Sequence, residues 1–257
     1  MEQLLSMEAL PSYSGPRKIN EQRISSIFKL INNYAVIIKL EKSNEVRQDL
    51  QVLSETLIEQ FVLVKDLLIN GWKHNYYQRF TTNEDRVKSL RKTILQKLTV
   101  IVIQFSPKGK DLRTIVYCHE VILYMELIGE FLTNIVEIMK ESDFKSDDYE
   151  DYEKTLSKFF EEVKETIREA CYSFYNEDAK LAYKILQPIP YKEMEKLKTD
   201  TLNSILSNFE EIPLLKQELI NLMAFDKILF IMKKIDAIAI NIAKSTIFVI
   251  EGNLNKS

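Results

Sequence analysis

Apolar side chains recur every three or four positions along most of this 257-residue chain, the period of α-helices with one buried face. Leu50, Leu53, Leu57, Phe61, Val64, Leu67 and Leu68 trace one stripe, and Asn70-Gly71 offers it a C-terminal stop. A short helical continuation is expected over 72–80. Thr82 or Asn83 then caps a helix through Val87, Leu90, Ile94, Leu98, Ile101, Ile103 and Phe105. After the turn Ser106-Pro107-Lys108-Gly109-Lys110, a third long helix runs from Asp111 to about Met139. Upstream, Ile24, Ile27, Phe28, Leu30, Ile31, Ala35, Ile38 and Leu40 predict an extra helix over 18–43, although Tyr34–Lys39 also suits a short strand. Residues 1–17 read as a loose tail.

The acidic stretch 140–153 has no apolar stripe and divides the chain into halves, 44–142 and 143–257. Beyond it, Leu156, Phe159, Phe160, Val163, Ile167 and Cys171 resume the helical period. A short helix over 176–186 stops at Pro188 and Pro190, another follows over 191–209, and Pro213 opens the last, which runs to about Glu251. Placing Asn134 on Asn241, a shift of 107 residues, superimposes Leu112 on Leu219, Ile115 on Leu222, Ile122 on Leu229, Met125 on Met232, Ile128 on Ile235 and Ile135 on Ile242 without a gap. The halves therefore read as an internal duplication.

With only 5 Gly and 6 Pro, the chain lacks the tight turns of a β-sandwich or barrel and the glycine-rich loops of a nucleotide-binding fold. The fold class is all-α. A net charge of −3 gives no global basic field for nucleic acid. Cys118 and Cys171 lie on helical stripes with no CxxC, which fits reduced, buried thiols and a cytoplasmic setting. The most apolar stretch, 228–250, carries Lys233, Lys234, Asp236 and Lys244 and so does not read as a membrane span, and the N-terminus does not read as a signal peptide.

Several short segments carry a likeness. Glu126-Leu-Ile-Gly129-Glu130-Phe-Leu-Thr-Asn134-Ile135-Val-Glu137 resembles the ERIGDxxxNIAE pattern of PhoU-like proteins, and Leu112-Arg113 resembles the pair that opens the same helix there. Asn241-Ile242-Ala243-Lys244, with Ile247-Phe248-Val-Ile-Glu251-Gly252, resembles the family's NIAE…VIYLVEG ending. Asn176-Glu-Asp178-Ala-Lys-Leu181-Ala182 resembles its RDxELA segment. The likeness covers roughly residues 50–252 in order. It implies two tandem three-helix bundles with pseudo-twofold symmetry, here with an extra N-terminal helix. It also implies a non-enzymatic regulator of phosphate transport or phosphate-responsive signalling, which contacts a phosphate transporter component or a sensor kinase, and possible homodimers.

The family's ExxxD motif supplies carboxylates to surface iron or zinc clusters. Glu126 and Glu130 match it in the first half, one helical turn apart, and His119 lies on roughly the same face; together they could hold a divalent transition metal. Lys88 stands at a position that is usually acidic. In the second half the motif falls on Lys233 and Ala237, so that site is lost, with Glu195 its one remaining neighbour. The competing reading of Glu126 and Glu130 is a solvated face beside Lys and Arg partners. A metal-binding helical bundle and a purely structural scaffold thus stand as alternatives to the regulator.

Catalysis finds little support, since His74 and His119 are the sole histidines and no ExxH or nucleophile elbow occurs. Lys108, Lys110 and Arg113 surround a helix start that could hold phosphate, or form an ordinary turn. Arg86, Lys88, Arg91 and Lys92 form a basic face. Tyr76, Tyr77 and Tyr175 fall off the stripes and are candidates for a docking patch. Gly129 is the one glycine inside a long stripe, where it costs about 1 kcal/mol against alanine, so a close helix approach or an open ligand face is expected there.

Overall fold

The computed structural model describes residues 21–71, 73–141, 150–187, 189, 191–207 and 212–252. Among the described residues, seven α-helices occur in this order: α1 Glu21–Asn70, α2 His74–Phe105, α3 Lys110–Glu141, α4 Glu150–Tyr175, α5 Ala179–Ile185, α6 Lys192–Ser207 and α7 Ile212–Glu251. No strand occurs among the described residues, so the all-α expectation holds and the strand alternative at Tyr34–Lys39 does not. The chain forms two compact units, residues 1–41 and 42–257, and the second holds everything described below. The expected tail and most of the acidic stretch lie outside the described residues. No described helix is long and apolar enough to cross a membrane.

Two expected helix boundaries are absent. No helix end falls at Ser43, and α2 runs unbroken through Thr81, Thr82 and Asn83. Thr81 and Thr82 turn their hydroxyls back to the Gln78 carbonyl at 2.9 Å, a hydrogen bond that suits a helix interior as well as a cap suits an end. The break instead comes at Gly71, in the left-handed region at φ 69°. Ser106 ends α2 in the same region at φ 45°, its N–H bonded to the Val102 carbonyl. Asp178 caps α5 by accepting from the Leu181 N–H at 3.0 Å.

The last helices of the two halves, α3 and α7, pack together and hold the centre. Burial follows the 107-residue shift. Val121 and Ile228, Ile122 and Leu229, Met125 and Met232, Ile128 and Ile235, Leu132 and Ala239, and Ile135 and Ile242 are all at most 1% exposed. Each such side chain withdraws about 1.5–3 kcal/mol of apolar surface from water, which is why the stripes face inward in both halves. Around α7 pack α4, α5 and α6, while α2 packs on α3. At the far end of α7, the Arg113 Nη2 reaches the Val249 carbonyl at 3.5 Å, and Tyr117 stacks on Phe248 with centroids 4.8 Å apart. A guanidinium there complements the negative end of the α7 dipole.

Candidate functional site

Outward-facing charge on the two central helices lies between α2 and α3 in the first half and between α6 and α7 in the second. In the first half, the Arg91 Nε lies 2.8 Å from Glu126 Oε2, an ion pair that joins α2 to α3. Lys88 pairs with Glu84 at 2.7 Å, and that hydrogen bond, then the charges of Glu84 and of Glu130 across the groove, hold its ammonium pKa above the ordinary value. Both carboxylates of the expected motif thus face cations.

His119 does not join them. It is exposed on α3, seven residues before Glu126. At 1.5 Å per residue that is roughly 10.5 Å along the axis. Among the described residues no three His, Cys, Asp or Glu side chains gather as metal ligands. Of the expected trio, Glu126 is thus ion-paired with Arg91, the Glu130 charge acts on Lys88, and His119 stands apart from both along α3.

The second half repeats the arrangement with altered signs. The shift of 107 carries Lys88 onto Glu195, Arg91 onto Lys198, His119 onto Asp226, Glu126 onto Lys233 and Glu130 onto Ala237. Lys198 pairs with Asp226 at 2.5 Å, and Lys233 pairs with Glu195. One lysine and one alanine thus stand where the motif would need carboxylates. The hydrogen bond from Lys198 to Asp226 is the largest influence holding the Lys198 pKa above its ordinary value. These pairs form a shallow cavity of about 390 Å³ with Lys227 and Phe230 on its wall.

Beneath this face lies Asp236, the counterpart of Gly129 and only 2% exposed. The Tyr191 hydroxyl donates to its Oδ2 at 2.6 Å, while Oδ1 is buried without a hydrogen-bond partner. Burial pushes the Asp236 pKa up, opposed by the Tyr191 hydroxyl and the Ile189 backbone. Burial also pushes the Tyr191 phenol far up, and the Asp236 carboxylate adds to the shift. Lys233 stands 5.0 Å above the Tyr191 ring, so the buried acid connects to the surface pair through one aromatic side chain.

Gly129 is buried against α1. An added Cβ would meet Gln60 Oε1 at 3.5 Å and Leu57 Cδ2 at 3.7 Å, ordinary contact distances. Neither a very close helix approach nor an open ligand face explains this glycine. Both side-chain polar atoms of Gln60 are buried without a hydrogen-bond partner.

Other candidates find internal employment. Lys110 pairs with Glu177, and the Arg113 Nη2 reaches the Val249 carbonyl of α7. Tyr76, Tyr77 and Tyr175 pack partly buried against the core. The Cys118 and Cys171 thiols are buried and pushed up to about 12 by desolvation. Exposed apolar surface lies elsewhere. Leu112, Val116 and Leu123 on α3 repeat as Leu219, Met223 and Phe230 on α7 under the same shift, each between 38% and 58% exposed. The Lys234 Nζ stands 4.4 Å from the Phe230 ring and 5.7 Å from Phe131 of α3.

Sequence reasoning missed Lys198, Asp226, Lys227 and Tyr191, although the 107-residue shift that maps Arg91 and His119 points to the first two. Comparison with known proteins follows from this geometry. Residues 50–139 match the family described as PhoU domain. The crystal structure of PhoU from Pseudomonas aeruginosa superposes on the fold with a TM-score of 0.64 and 19% sequence identity, over 83% of this chain and 99% of that one. No curated protein matches by sequence. The chain is PhoU-like in the segment 50–139 and in fold.

Proposed function

We propose that this PhoU-like chain is a non-enzymatic regulatory adaptor in phosphate transport or phosphate-responsive signalling, and that it acts by protein contact. The observation that carries the reading is the PhoU domain match over residues 50–139, on a helical fold that superposes on PhoU. The duplicated apolar triplets of α3 and α7 supply a surface for the contact. Single exposed apolar side chains are ordinary, but two sets at one spacing on the two central helices form a repeated patch. The partner is a cytoplasmic part of a phosphate transporter or a sensor kinase, and the chain works in the cytoplasm as a monomer or homodimer. Docking shifts the partner between active and inactive states through its different affinity for each.

Affinity purification of the tagged chain from cells grown at high and at low phosphate tests this. The expected result is co-purification of a transporter or kinase component, lost in the double variant Val116→Glu, Met223→Glu, whose exposed positions leave the core intact. Recovery of neither class of protein under either condition would overturn the reading.

A further inference from the structure

The cavity between α6 and α7 holds three ammonium groups, Lys198, Lys227 and Lys233, against two carboxylates, Glu195 and Asp226. Each carboxylate already holds one lysine, Asp226 on Lys198 and Glu195 on Lys233. Lys227 has no ion-pair partner among the described residues, so the cavity carries a surplus positive charge. Its volume of about 390 Å³ equals the share of roughly thirteen liquid waters, more than one orthophosphate fills. Phe230 forms part of the wall, with Lys234 beside its ring.

We propose that this cavity binds a small polyanion bearing at least two adjacent phosphoryl groups, with Glu195 and Asp226 as internal stand-ins that the ligand displaces. The chemistry follows from the pairing. A singly charged ligand gains only Lys227, because the other two ammonium groups are already neutralised. A ligand with adjacent phosphoryl groups can meet Lys198, Lys227 and Lys233 together, and the freed carboxylates turn to solvent. Charge-assisted hydrogen bonds from ammonium to phosphoryl oxygen are stronger than neutral ones. Its ligand would be inorganic pyrophosphate or a nucleoside polyphosphate whose base rests on Phe230. This inference stands on the lysine and carboxylate pairing in the cavity and shares only Phe230 with the docking surface.

Isothermal titration of the full chain with pyrophosphate, adenosine triphosphate and orthophosphate, without divalent metal, tests it. Saturable binding of pyrophosphate or the nucleotide is expected, with orthophosphate much weaker. Lys198→Ala or Lys233→Ala should each weaken binding about tenfold, and Glu195→Gln should tighten it several-fold by releasing Lys233. Lys184→Ala and Glu169→Gln make the same charge changes at a pair outside the cavity and should leave affinity unchanged. Tighter nucleotide binding that Phe230→Ala abolishes assigns the nucleotide, and equal affinities assign the inorganic anion. Absence of saturable binding at millimolar ligand would overturn the proposal. Weaker binding in Glu195→Gln, equal effects in the control variants, or orthophosphate binding as tightly as pyrophosphate would overturn it too.

Discussion

Replacing Asp236 by asparagine should remove one loss of stability that grows as pH rises, in a direction the structure fixes. The carboxylate is 2% exposed, with one oxygen held by the Tyr191 hydroxyl at 2.6 Å and the other unpartnered. A hydrogen bond to an ionised acceptor contributes about 1.5–3 kcal/mol, and an unsatisfied buried polar atom costs about 1–3 kcal/mol, so the two nearly offset at neutral pH. What remains is protonation. The folded-state pKa lies above the ordinary 3.8 because burial disfavours the charge. A carboxyl shifted this way contributes stability below its unfolded pKa and loses it as pH rises through the folded pKa. Between the two values the loss is about 1.4 kcal/mol for every pH unit. Glu161 runs the other way: its hydrogen bonds from Lys164 and Lys65 hold its pKa down, so its contribution is lost as pH falls. Because Glu161 is present in both proteins, it cancels in the difference. Urea denaturation of wild type and Asp236→Asn, followed by far-UV circular dichroism from about pH 4 to about pH 8, measures that difference. The variant should gain on the wild type as pH rises from about 4 and then level off. A difference that stays flat, or that runs in the opposite direction, would refute the reasoning.

Gly129→Ala should raise stability, by up to about 1 kcal/mol, because the methyl meets Gln60 and Leu57 only at ordinary contact distances while helix propensity improves; a loss of stability in thermal melts would show that α1 and α3 cannot accept it. Cys118 and Cys171, with thiols pushed up to about 12, should resist alkylation in the native protein at neutral pH and react fully in urea; native labelling at the rate of a small free thiol would show that their burial is transient.

Helices whose stripes are long and whose ends carry glycine or proline were legible residue by residue, as the α3 stripe from Cys118 to Val136 shows. Boundaries drawn from polar residues alone were not. Thr81 and Thr82 satisfy the same hydroxyl within a helix that they would satisfy at its start, so composition does not separate the two cases. The candidate site was half legible. Glu126 and Glu130 do share a face, but helical phase says nothing of the distance along the axis that separates His119 from them. The partners that decide the chemistry come from other helices: Arg91 lies 35 positions from Glu126, and Tyr191 lies 45 from Asp236. Such pairs depend on how helices are turned toward each other, which no local pattern records. The duplicated register was the one long-range signal the chain carried openly.

The packing of α3 against α7 has a consequence for how such a protein can change over time. Two identical subunits meeting across a true axis must carry the same residue on both sides, so every substitution is made twice. Joining the halves in one chain lifts that constraint. Gly129 and Asp236, or Glu126 and Lys233, could diverge because each mutation touches one side only. The first half keeps an arginine–glutamate pair, and the second acquires a buried acid beneath a lysine-lined hollow. Asymmetry of this kind gives one molecule two different surfaces on a common frame.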